Sequence, residues 1–327
     1  MLNYQRQNWS KQMKKTATQQ ILDNKETVTK FLINHRNILN RSSLMDLLHE
    51  LQDQQDILKR TTLTGLTTIL LQQGILEEIS ILYRDRLLYR YLTTSDYVSP
   101  YEIALSIAPK KAHLSHLSAL FANEITNLDP TTIYVNYEQS VKHVDEKNAQ
   151  LTQKKVDQAF LKPVRKTKNV ATFLYRDRSY TVILLNGKNT NYIGVRSIKP
   201  LGFSLPVRVS SLERSLIEAT IRPSYSGGVQ EVLIAFRNAK GANISVNRML
   251  SYLKKMNYIY PYPQAIYFYA YYAKYTAMQL HLIGKMFITT NESKQPAIKF
   301  YLDHQLINPK LDLESQVYYP SNFTLDT

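Results

Sequence analysis

The 327-residue chain has no cysteine, which removes disulfides, thiolate zinc sites and cysteine nucleophiles together. With nine glycines in all, it holds no Gly-x-Gly-x-x-Gly, Walker loop, His-Glu-x-x-His or nucleophile elbow. No apolar run approaches the about 18 residues of a membrane span. The amino-terminal MLNYQRQNWSKQMKKTATQQ is polar and lacks the apolar segment of a secretory signal. These absences lead to the expectation of a cytoplasmic, bacterial-type protein with no membrane partner. Acids are also scarce, 26 Asp and Glu against 41 Lys and Arg, for a formal charge of +15. Such an excess favours polyanions through phosphate neutralisation and counterion release.

A hydrophobic share of 44% and a charged share of 20% belong to a globular chain, long enough for two domains. Residues 1–17 read as a loosely ordered basic arm. From Thr18 to about His35, Ile21, Val28, Phe31 and Leu32 give a helical face. A second helix, capped by Ser42 and Ser43, carries Leu44, Leu47, Leu48 and Leu51. In a third, Leu63, Leu66 and Leu70 turn inward and Thr64, Gly65, Thr67, Thr68 and Gln72 outward. Period-2 runs at Ile75, Ile79 and Ile81, then at Leu87, Tyr89 and Tyr91, predict a hairpin turning near Arg84 and Asp85. Three helices and a basic-tipped hairpin are the pattern of a winged helix-turn-helix, in which the third helix enters the major groove. The expected DNA contacts are Arg36, Arg41, Lys59, Arg60, Thr61, Thr62, Thr64, Thr67 and Thr68, with Arg84 and Arg86 on phosphates.

Further along, residues 162–199 hold nine basic residues against one acid, Asp177. Within that window Arg165, Lys166, Lys168, Arg176, Arg178, Lys188, Arg196 and Lys199 define an expected basic face on strands and their loops. Tyr180 to Leu185 and Phe203 to Val209 read as strands, with a hairpin-type turn at Asn186-Gly187. Residues from Tyr137 to about Lys155 read as a polar linker. SLERSLIEATIRPSYSGGVQEVLIAFRN, Ser211 to Asn238, predicts two buried helices joined by a turn that Gly227 and Gly228 permit. YIYPYPQAIYFYAYYAKY packs eight tyrosines into Tyr258 to Tyr275; Ile266, Tyr269, Ala270, Ala273 and Ala277 form its expected core stripe. HLSHLSALFANEIT, His113 to Thr126, reads as a helix. Placed on a helix, the neighbours Ser115 and His116 point about 100° apart, which argues against a nucleophile and its base. The seven histidines show no metal-ligand spacing. A non-enzymatic chain without cofactor or metal is the expectation.

Two of these segments carry a resemblance. Leu212 to Glu231, through Glu213, Arg214, Leu216, Ile217, Arg222, Pro223, Gly227 and Gly228, resembles the second domain of AbiEi-type antitoxins of type IV toxin-antitoxin systems. Ser115, His116, Ser118, Ala119 and Leu120 resemble the string that opens that domain. The resemblance implies an α+β chain: an N-terminal winged helix-turn-helix over 18–97, followed by a larger mixed α/β antitoxin domain over 98–327. It further implies an autorepressor on inverted repeats in duplex DNA that counters a nucleotidyltransferase toxin in phage abortive infection, with direct binding of the toxin left open. A dimer forming on DNA is compatible with it. The basic face has two candidate partners, DNA flanking the operator or an RNA or nucleotide bound by a toxin; DNA is the expectation. The alternatives are a nucleic-acid-binding subunit of a defence complex, and a nuclease with unrecognised carboxylates.

Overall fold

Leucine, isoleucine and phenylalanine at helical spacing build the first of two units. In the computed structural model, which describes residues 15–54, 56–141, 151–288 and 298–325, this unit is Met1–Ser80 with Tyr89–Val98. The second unit is Ile81–Leu88 with Ser99–Thr327. Residues 1–14 of the expected basic arm and 142–150 of the expected linker lie outside the described residues. The chain mixes helix and strand, and among the described residues no helix is long and apolar enough to cross a membrane.

Unit 1 runs α1 (Ala17–Asp23), α2 (Lys25–Asn34), β1 (Ile38–Leu39), α3 (Arg41–Asp53) and α4 (Leu63–Gln72), then the hairpin strands β2 (Leu76–Tyr83) and β3 (Arg86–Thr93). The single helix expected from Thr18 to His35 is broken at Asn24. That side chain donates to Gln20 O at 2.9 Å, the carbonyl a continuing helix would use for the Asn24 N–H, and to Asp56 O at 3.3 Å in a distant segment. The cap of α3 is Asn40 rather than Ser42 or Ser43. Asn40 Oδ1 accepts from Ser43 N at 3.0 Å while Ser43 Oγ accepts from Asn40 N at 2.8 Å, a reciprocal capping box. Ile21, Val28, Phe31, Leu32, Leu44, Leu47, Leu51, Leu66 and Leu70 close into one core. The hairpin turns at Arg84 and Asp85, both left-handed, as a two-residue primed turn requires.

The tip of that hairpin belongs to unit 2, whereas the sequence placed it in the 18–97 segment. Ile81, Leu82 and Tyr83 pair antiparallel with Phe173, Thr172 and Ala171. Backbone groups at a strand edge satisfy one another regardless of sequence distance, and local periodicity does not name that partner.

Unit 2 continues with α5 (Pro100–Ser106), β4 (His113–Leu114), α6 (His116–Ala122), β5 (Thr132–Glu138), α7 (Gln153–Phe160), β6 (Val170–Tyr175), β7 (Arg178–Gly187), β8 (Val195–Ile198) and β9 (Val207–Ser210). Then come α8 (Leu212–Ile221), α9 (Val229–Gly241), α10 (Val246–Met256), α11 (Tyr262–Tyr272) and α12 (Ala277–Ile288), and a small sheet of β10 (Phe300–Tyr301), β11 (Lys310–Asp312) and β12 (Val317–Tyr319). Within unit 2 the sheet runs from the end of β2 in the order β2-β6-β7-β5-β4-β9-β8, with β7‖β5 and β4‖β9 parallel and the other pairs antiparallel.

Several expectations change here. The hairpin turn is Arg176-Asp177, both left-handed, between β6 and β7. Asn186-Gly187 instead ends β7, where Gly187 pairs with Glu138. A Cβ at Gly187 would lie 2.6 Å from Asn136 Oδ1, so glycine serves close approach there rather than a turn. His113 and Leu114 form a strand, and the helix begins only at His116. β5 extends through Tyr137 and Glu138, which the sequence assigned to a linker. α11 stops at Tyr272, so Ala277 is exposed and leaves the expected core stripe, while Ile266, Tyr269, Ala270 and Ala273 are buried. The α8 to α9 corner is as expected: Ser211 caps α8, Arg222 ends it before Pro223, and Gly227 and Gly228 have φ of 86° and 93°.

Candidate functional site

In unit 1 the helix expected as the third is α4, and its leucines lie on one face. Leu66 and Leu70 are wholly buried, while Thr62, Thr64 and Thr68 are exposed. Thr62 caps α4 by accepting from Gly65 N at 3.1 Å. Thr67, expected outward, is half-buried, and its hydroxyl donates to Leu63 O at 2.9 Å, because a threonine in a helix is within reach of the carbonyl one turn back. Lys59 and Arg60 are exposed just before α4, Thr61 is half-buried beside them, and together with Thr62 they line a cleft of 1090 Å³. Arg41 is exposed at the start of α3, and Arg36 lies exposed in the left-handed turn before β1. Arg41, Lys59 and Arg60 form no ion pair among the described residues. Arg84 and Arg86 are exposed in unit 2; Arg84 donates to Asn169 and lies over the Tyr83 ring at 5.3 Å.

In unit 2 the two motif segments, about a hundred residues apart in sequence, meet around one buried guanidinium. Arg214 donates through Nε to Glu218 Oε1 at 2.7 Å and through Nη2 to Glu138 Oε1 at 3.0 Å. Its Nη1 serves Ile193 O at 2.6 Å and Thr190 Oγ1 at 3.1 Å. Helical spacing of i, i+4 on α8 puts Arg214 and Glu218 on one face. Glu138 further accepts from Thr190 N at 2.7 Å and Tyr192 N at 3.0 Å. Glu218 also accepts from Ser210 Oγ at 2.8 Å and His116 N at 3.4 Å, with His113 Nε2 3.9 Å away. Burial would raise the Glu218 carboxyl, yet the charge of Arg214, first among its neighbours, and the nearby His113 imidazole hold it well below the usual carboxylate range. Glu138 is likewise lowered, burial being outweighed by its bonds from Thr190, Tyr192 and Arg214. Burial lowers both His113 and His116, the latter to about 4, so both imidazoles are neutral at pH 7.

Ser115 and His116 touch, contrary to the expected divergence. Ser115 precedes the helix in extended conformation and His116 is left-handed at φ 49°, which brings His116 Nδ1 to 3.0 Å from Ser115 Oγ. The Ser115 side chain is fully buried, so its hydroxyl is not presented to solvent. A left-handed non-glycine residue costs about 1–3 kcal/mol and persists only where its surroundings over-determine it. Here the bond to Glu218, an edge contact with Tyr225 and a tilted contact with Tyr134 do so. Ser118 is buried, its Oγ accepting from Tyr134 N at 2.8 Å. Glu213 accepts from Arg248 at 3.1 Å, and a Cβ at Gly227 would lie 2.8 Å from Glu231.

Above this network opens a cleft of 670 Å³ walled by His116, Arg222, Tyr225, Tyr258, Tyr260 and Tyr262 together with Arg165, Lys166 and Lys188. The expected basic face is thereby divided. Arg165, Lys166 and Lys188 turn to the cleft, whereas Arg178 pairs with Asp129 at 2.7 Å and Arg196 donates to Asn123 at 2.9 Å. Arg176 lies over the Tyr175 ring, and Lys168 and Lys199 are exposed outside the cleft lining. Glu138, Glu218, Thr190, Tyr225 and Tyr258 were not singled out from sequence. The one available signal was period-2 alternation, since Tyr134, Asn136 and Glu138 share a strand face.

No protein-family model matches the chain, and no curated protein matches it. Among solved structures, the RV2827C protein of Mycobacterium tuberculosis is similar at a TM-score of 0.52 and 11% identity, with 90% of each chain covered. At that identity the likeness concerns the fold alone.

Proposed function

We propose that the chain binds duplex DNA sequence-specifically through unit 1, acting as a winged helix-turn-helix whose α4 enters the major groove. The observation that carries this reading is the polarity of α4. Leu66 and Leu70 anchor one face in the core, and the other offers Thr64 and Thr68, with the exposed cations Lys59, Arg60 and Arg41, which form no ion pair among the described residues, on neighbouring segments. Small hydroxylated side chains approach base edges closely, and cations without carboxylates are free to neutralise phosphates. The succession of α2, α3 and α4 followed by the β2-β3 hairpin, with α1 as an extra helix in front, supports the same assignment. On the resemblance of residues 115–120 and 212–231 to AbiEi-type antitoxins, we assign it the role of a cytoplasmic antitoxin and autorepressor. It would bind inverted repeats, dimerise there, and counter a nucleotidyltransferase toxin.

Electrophoretic shifts with the DNA upstream of the gene test the helix assignment. Thr64→Ala with Thr68→Ala is expected to lose about tenfold or more in affinity for that DNA while keeping its affinity for random duplex. Lys59→Ala with Arg60→Ala is expected to weaken both and to lower the salt slope by about one per lost phosphate contact. Unchanged preference in the threonine variant would remove α4 as the reading helix.

A further inference from the structure

The cleft of unit 2 is not needed for DNA binding by unit 1, and its chemistry is specific. We infer that it binds a nucleoside polyphosphate, with the phosphates on its cationic wall and the base against tyrosine.

Its charge is the first ground. Five cationic side chains line it against one carboxylate, Glu218, which is already paired with Arg214. Of the remaining four, Arg165, Lys166 and Arg222 form no ion pair among the described residues. Lys188 donates to Asn257 O. Like charges gathered in a concavity repel one another, and the low-dielectric walls focus their field outward, so the site favours a multiply charged anion. Phosphate matches the forked donors of arginine and the point charges of lysine.

Aromatic geometry is the second ground. Tyr225 lines the cleft and is backed by Tyr134, stacked at 5.3 Å between ring centroids and 27° between planes. Its hydroxyl donates to Arg165 O at 3.0 Å, which ties the ring to the segment carrying Arg165 and Lys166. Arg222 lies 6.0 Å from the centre of the Tyr225 ring, and Lys188 lies 5.1 Å from that of Tyr258. The cations and the rings are therefore interleaved, so a ligand bonded to the former meets the latter. A planar base on a fixed tyrosine gains about 1–3 kcal/mol from stacking, which an inorganic anion cannot collect. His116 has Nδ1 committed to Ser115, so Nε2 is the nitrogen left for a polar group of the base. The volume of 670 Å³ falls within the range of about 300–1,000 Å³ usual for small-molecule sites.

Calorimetric titration of the full chain with ATP, GTP, CTP and UTP, and separately with inorganic triphosphate and with adenosine and uridine, tests the inference. At least one nucleoside triphosphate is expected to bind with a micromolar Kd, and triphosphate and the nucleosides about tenfold or more weakly. Tyr225→Ala should lose about tenfold and Tyr225→Phe should retain binding. The exposed pair Arg165→Glu and Lys166→Glu should abolish binding while leaving the melting temperature and the preference for upstream over random DNA unchanged. Three results would overturn it: triphosphate binding as tightly as every nucleotide, charge reversal without effect, or duplex DNA displacing the nucleotide from the cleft. None of them bears on α4, so failure here is distinguishable from failure of the DNA-binding reading.

Discussion

Replacing Arg214 by methionine removes the centre of the unit 2 network while nearly preserving volume. Four hydrogen bonds vanish, to Glu218, Glu138, Ile193 and Thr190. Glu138 retains its bonds from Thr190 and Tyr192 and stays satisfied. Glu218 retains only Ser210 and the long bond from His116 N, so it becomes a buried carboxylate without a cation in contact. Stripping one partner from a buried ion pair costs about 3–5 kcal/mol, and here two carboxylates lose their cation, which places Arg214→Met near the upper end. Because Arg214 holds the Glu218 carboxyl well below its ordinary value of 4.5, the stability it confers is fully present above that value and is lost progressively as pH falls from there towards the depressed one. The deficit of Arg214→Met is therefore largest at neutral pH and narrows in acid. Urea unfolding followed by circular dichroism at pH 7.5 and at about pH 3 measures this for the transition of unit 2. Glu218→Gln in the Arg214→Met background should recover about 1–3 kcal/mol as a coupling energy. A deficit below about 1 kcal/mol at pH 7.5, or one that grows in acid, would refute the reasoning.

Other consequences are equally direct. With His116 lowered from 6.5 to about 4 by burial, the unfolded chain binds the proton first, so stability falls as pH drops from 6.5 towards 4. His116→Gln should remove up to about 3 kcal/mol of that acid loss, read from melting curves across the window. Gly187→Ala pushes a methyl group against Asn136 Oδ1 and should cost about 1–3 kcal/mol, most of it regained with Asn136→Ala, by the same denaturant assay.

The parts of this molecule that were legible in sequence are those decided by neighbours within one or two turns. Leu44, Leu47, Leu48 and Leu51, or Leu66 and Leu70, announce a buried helical face by spacing alone, and Arg84-Asp85 announces a turn between alternating strands. The corner at Gly227 and Gly228 was readable because few other residues tolerate φ near 90°. What escaped depends on partners distant in the chain. Glu138 looks like the first polar residue of a linker until Arg214, 76 positions later, is placed against it. Gly187 looks like a hairpin glycine until the parallel register of β7 on β5 sets Asn136 beneath it. Ser115 and His116 look divergent on a helix, and meet only because His116 takes a left-handed conformation held by Glu218 and Tyr225. The basic run from 162 to 199 looks like one face, but the segments flanking the β6-β7 hairpin turn to the cleft, the hairpin carries Arg178 to Asp129, and β8 carries Arg196 to Asn123.

Whether α4 reads a DNA sequence is decided most directly by one titration. Fluorescence anisotropy of the full chain on its own upstream DNA and on random duplex of equal length, from 50 to 200 mM salt, gives both affinity and slope. We predict a preference of about a thousandfold for the upstream DNA that persists as salt weakens both complexes along similar slopes. Equal affinity for the two duplexes at every salt concentration would contradict it.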